Sequence, residues 1–73
     1  MSRVVAIGES TRVAGFLLVG VDVMPADSPT AVLAAWRALP PDTGLVVLSP
    51  AAAAVVAELD EKADRPLTAV MPP

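Results

Sequence analysis

The run Leu45-Val46-Val47-Leu48 carries no polar residue at all. A strand with one face in water alternates apolar and polar side chains. A continuous apolar run predicts a strand covered on both faces, hence a parallel sheet flanked by helices. Arg3-Val4-Val5-Ala6-Ile7, closed by Gly8, reads the same way. Val21-Asp22-Val23-Met24, stopped by Pro25, reads as the second strand, and Leu67-Thr68-Ala69-Val70-Met71, introduced by Pro66, as the fourth.

Helical signals fill the gaps. Ser28-Pro29 and Ser49-Pro50 each pair a capping serine with a proline suited to the first turn. Val32, Ala35, Trp36 and Leu39 then form one apolar stripe, ended by Pro40-Pro41. Asp42-Thr43-Gly44 makes the turn that follows. Ala52, Val55, Val56 and Leu59 form the next stripe, and Asp60 to Arg65 reads as its solvated end. Between the first two strands, Glu9-Ser10-Thr11 offers a cap, and Val13, Phe16, Leu17 and Gly20 recur at helical spacing. The prediction is strand-helix three times and a final strand, in one α/β domain over 1–73. Right-handed crossovers favour the doubly wound, flavodoxin-like or Rossmann-like order 2-1-3-4. The first helix then covers one face and the other two cover the opposite face. No fifth strand and helix follow, so strands 45–48 and 67–71 are expected to leave apolar surface bare on the first-helix side. Such patches mark partner sites.

With 73 residues, such a domain buries only about 60% of its unfolded surface, and its core is marginal. The chain has no cysteine to staple it and no histidine. Zinc thiolate sites and the commonest general base are thereby excluded. A net charge of −3 with one Trp and one Phe argues against nucleic acid, which selects basic patches and aromatic platforms. No apolar run reaches the roughly 18 residues that span a bilayer. Together with the absent signal-peptide pattern, this predicts a cytoplasmic protein.

The polar residues offer little chemistry. Gly8 ends a strand where nucleotide-binding folds hold phosphate, but Glu9-Ser10-Thr11-Arg12 follows in place of the required glycines, and Glu9 repels an anion. Glu9 with Asp22 or Asp27 resembles part of a magnesium-binding acidic set, without the further aspartate and lysine of a phosphate receiver. Ser10, Ser28 and Ser49 lack an activating base, and capping explains each. Lys62 suits a helix C-terminus. Core packing explains Trp36. Gly15, inside the first predicted helix, implies a close approach of sheet or partner. A non-catalytic domain that binds another protein is the expected function.

Several segments together resemble one family. Ala6-Ile7-Gly8-Glu9 and Gly15-Phe16-Leu17-Leu18-Val19-Gly20-Val21-Asp22-Val23 look like the opening of the small F subunit of the V-type and archaeal A-type rotary ATPases. Gly44 to Ser49 resembles that family's third strand and turn, and Arg65 to Pro72 its proline-led fourth strand. Glu9 replaces the family's aspartate, the acid common before the closing Ile-Pro pair is absent, and the chain resembles a short form without the C-terminal extension. The resemblance implies a non-catalytic central-stalk subunit of a proton- or ion-transporting ATPase or ATP synthase, without cofactor or metal. It would sit peripheral to the membrane, bound to the coiled-coil central-stalk subunit that forms the rotor shaft. Contacts with other stalk or head subunits, and self-association in isolation, are further implications. Glu9, Gly15, Met24, Ser49, Leu67 and Met71 are the candidate interface residues. The alternative is a stand-alone flavodoxin-like regulatory domain binding a small anion near Gly8 and Ser49.

Overall fold

A computed structural model describes residues 3–15, 20–59 and 66–72. The elements are β1 (Arg3–Gly8), α1 (Ser10–Val13), β2 (Asp22–Pro25), α2 (Pro29–Arg37), β3 (Thr43–Leu48), α3 (Pro50–Ala57) and β4 (Leu67–Val70). The four strands form one sheet in the order β2-β1-β3-β4, and every pairing is parallel. This is the predicted α/β fold and strand order.

The core lies in two layers, one on each face of the sheet. Val5, Ile7, Val46 and Leu48 point to one side and meet Val32, Ala35 and Trp36 of α2 and Ala52 and Val56 of α3. The buried members of both predicted stripes therefore face the sheet. Ala6 points the other way and packs with Val13 of α1 and with Met71, joined by the partly buried Val21, Val23 and Val47. Three successive residues of β1, Val5, Ala6 and Ile7, are fully buried, as a central strand covered on both faces requires. Full burial of an Ile or Val side chain contributes roughly 1.5–3 kcal/mol.

The local chemistry explains the two long helices. The Ser28 hydroxyl accepts from the Ala31 amide at 3.1 Å, and the Ser49 hydroxyl accepts from the Ala52 amide at 3.2 Å. Each satisfies one of the amide groups orphaned at a helix start. At the opposite end of the sheet, Arg3 bridges Asp22 at 2.8 Å and Asp42 at 3.1 Å. It ties the starts of β1 and β2 to the turn before β3. Its guanidinium pKa is raised, first by the hydrogen bond to Asp22.

The boundaries differ from the sequence expectations in four places. α1 closes at Val13 and tightens over Ala14–Gly15, and the stretch 16–19 of the helix expected through Gly20 falls outside the described residues. Gly20 has φ +78°, the left-handed conformation that glycine adopts without a Cβ penalty. It belongs to the turn into β2. Phe16, Leu17 and the charged stretch from Asp60 to Arg65, Lys62 included, lie outside the described residues. β2 includes Pro25, which β1 pairs through Gly8; an edge strand tolerates a residue without an N–H. β3 starts at Thr43, whose amide and hydroxyl both donate to the Pro40 carbonyl.

β4 departs furthest. Leu67, Thr68, Ala69 and Val70 are all exposed. Their register against Leu45–Leu48 turns Leu67 and Ala69 to the α1 side, and Thr68 and Val70 to the α2/α3 side. Leu45 and Val47 are only half-buried. The bare surface expected on the α1 side is present, and it continues around β4 to the other face.

Candidate functional site

The C-terminal edge of the sheet gathers the polar residues singled out in the sequence. Gly8 ends β1 and Ser49 follows β3. A β-carbon on Gly8 would lie 2.7 Å from both the Cβ and the Oγ of Ser49, so only glycine fits. This close approach fixes the turn into Glu9. The buried Ser49 hydroxyl donates to Glu9 Oε1 at 2.5 Å while accepting from Ala52. The serine thus caps α3 and holds the Glu9 carboxylate at once. That bond, first among several causes, pulls the Glu9 pKa down. On its other oxygen, Glu9 faces Arg12 Nε at 3.5 Å, and Arg12 Nη1 donates to the Pro72 carbonyl at 3.4 Å.

Asp27 supplies the side-chain cap that the sequence places within Glu9-Ser10-Thr11. The Ser10 amide and hydroxyl donate to its two carboxylate oxygens at 3.0 and 2.7 Å. α1 is therefore capped from the β2–α2 loop, and Glu9 is released to Ser49. The Ser10 hydroxyl, with the amide second, lowers the Asp27 pKa. Both carboxylates are held ionised by groups that are themselves structural. Asp22 cannot join them: its register with Val5 and its bond to Arg3 place it toward the other end of the sheet.

Between the first turns of α2 and α3 lies a cleft of about 120 Å³, with Glu9, Asp27 and Ser28 at its polar rim and Val32, Ala52 and Val55 among its apolar walls. The helix N-termini bring partial positive charge to this rim and the two carboxylates oppose it. The three serine hydroxyls near it are all engaged, Ser10 with Asp27, Ser28 with Ala31 and Ser49 with Glu9. Among the described residues, no group of three or more His, Cys, Asp or Glu is placed to hold a metal ion.

The six candidate interface residues do not form one surface. Glu9 and Ser49 are joined, but Ser49 is fully buried and presents nothing to a partner. Met71 is also buried, packed with Ala6 and Val13. In the isolated chain the first side chain is taken up by capping and the second by the small core under α1. Met24 is half-buried against the main core. Gly15 is exposed, and a β-carbon there would meet nothing within 4 Å. Close approach to the sheet does not explain it. Leu67, at 76% exposure, is the candidate that stands free.

Sequence reasoning passed over Val70, which is 58% exposed. It also missed a shallow groove of about 410 Å³ between α2 and α3, lined by Leu33, Ala54, Val55 and Leu59 with Glu58 at its edge. The signal for the groove was present: Pro50 to Ala57 contains no polar residue, so α3 has no water-facing side of the usual kind.

The chain matches no family model and no curated protein. Among the described residues, no helix is long and apolar enough to cross a membrane.

Proposed function

We propose that the chain is a non-catalytic protein-binding domain, and specifically the small central-stalk subunit of a V/A-type rotary ATPase or ATP synthase. In that role it binds the coiled-coil shaft subunit on the cytoplasmic side, peripheral to the membrane, and helps couple ATP turnover to ion transport. The observation that carries the binding reading is β4. An edge strand that exposes Leu67 on one face and Val70 on the other has apolar surface a small domain gains by covering. The order of segments shared with the stalk-subunit family supports the choice of partner.

The anion-binding alternative is weaker on electrostatic grounds. The cleft at the starts of α2 and α3 is rimmed by Glu9 and Asp27, whose pKa values are lowered. Two carboxylates held ionised oppose a phosphate where the helix ends would attract one.

The test is titration of the purified chain with the cognate coiled-coil shaft subunit, followed by calorimetry. The expected result is a one-to-one complex. Absence of binding would remove the stalk reading. A thermal-shift response to inorganic phosphate or nucleotide, without binding to the shaft, would favour the alternative.

A further inference from the structure

β4 is anchored quite differently from the other strands. Three amides occupy equivalent positions, each on the first residue past a strand. Ala26 donates to the Gly8 carbonyl at 2.7 Å, Ser49 to Ile7 at 3.1 Å and Met71 to Leu48 at 2.8 Å. The bonds are alike, and the strands behind them are not. Val5, Ala6, Ile7, Val46 and Leu48 are buried in β1 and β3. The four residues of β4 are all exposed, and among the described residues β4 pairs with β3 alone. Among the described residues, what holds the segment beyond the ladder is the Met71 side chain over Ala6 and Val13 and the long bond from Arg12 to Pro72.

Local opening follows where few apolar contacts are buried and backbone bonds lie near solvent. We propose that residues 67–72 form a strap that detaches as a unit while the rest of the domain stays folded, with Met71 as its anchor. Opening bares the outer edge of β3 and the apolar floor of Ala6 and Val13. This holds whatever partner the domain binds.

Native-state hydrogen exchange at low urea tests it on the intact chain. The Met71 amide should exchange faster than the Ser49 amide, through an opening almost independent of urea. The Ser49 amide should follow global unfolding. Met71→Ala should speed exchange at position 71 roughly 30-fold, and Met71→Leu should preserve the protection. Ile7→Val is the mild control: it lies in the core that stays folded when the strap opens. It should speed Ser49 exchange about fivefold and leave Met71 exchange unchanged. If Met71 and Ser49 share one urea slope, or Ile7→Val accelerates both alike, the strap does not open by itself and the proposal is overturned.

Discussion

Ser49 lies so close to Gly8 that a β-carbon on the glycine would sit 2.7 Å from the serine Cβ and Oγ. The Cβ moves only with the backbone, and the Oγ is held by its bonds to Glu9 and Ala52. The serine is fully buried and its amide is bonded to the Ile7 carbonyl, so it has nowhere to retreat. Gly8→Ala should destabilise the domain by about 1–3 kcal/mol, the range for overpacking a filled site. Gly15→Ala, with open space around it, should stay within about 0.5 kcal/mol of the parent. Urea midpoints of the two variants check the contrast, and equal midpoints would contradict the contact.

The same serine makes the acid response of the fold predictable. Ser49 lowers the Glu9 pKa and Ser10 lowers that of Asp27. Below the ordinary carboxylate values, about 4, the unfolded chain binds protons that the folded chain still refuses. Stability therefore rises with pH through this window. It is fully present above the unfolded values and is lost as pH falls through the lowered folded ones. Urea midpoints should drop on acidification below about pH 4. The fall should be shallower in a Glu9→Gln, Asp27→Asn double variant. Parallel curves for parent and variant would show that these two carboxylates do not carry the effect.

Trp36 is 5% exposed within the main core. Trp36→Ala removes about 3–5 kcal/mol of packing, against a total stability of about 5 kcal/mol at the low end for small domains. That leaves about 0–2 kcal/mol, so the Trp36→Ala urea midpoint, followed by far-ultraviolet circular dichroism at 25 °C, should lose more than half of the parent value, whereas Trp36→Phe should lose much less. A Trp36→Ala midpoint close to the parent's would mean that the sheet face under α2 contributes far less than its burial implies.

The fold was legible because its signals are local and agree. The Ser-Pro starts, the stripe from Val32 to Leu39 and the unbroken run Leu45–Leu48 each name one element, and right-handed crossovers then leave few strand orders. The edge of the sheet was less legible because its bonds are long-range. That Asp27, from outside Glu9-Ser10-Thr11, would cap α1 depends on a contact 17 residues away, and the Ser49–Glu9 bond spans 40 residues. Neither leaves a periodic trace. The burial of Met71 was hard to read for a related reason. As the last apolar residue of its run it reads as strand, but it lies one position past β4, aligned after Leu48↔Val70. The two-residue alternation of a strand turns it to the face opposite Val70, under α1.

Leu67 and Val70 offer the sharpest test of the proposed binding surface, because they contribute little to the isolated fold. Both side chains are mostly in water, and substitutions at such positions usually change stability by no more than about 0.5 kcal/mol. Leu67→Lys and Val70→Lys should therefore leave the urea midpoint almost unmoved. Against the coiled-coil shaft the same lysines would bury an unpaired charge in an apolar contact, which is strongly unfavourable. Each should weaken binding at least tenfold, equivalent to about 1.4 kcal/mol. Ala54→Glu, in the groove between α2 and α3, is the matched control and should bind normally. Were Ala54→Glu to abolish binding while Leu67→Lys and Val70→Lys did not, the partner would be seated on the helical face and β4 would not be the docking edge.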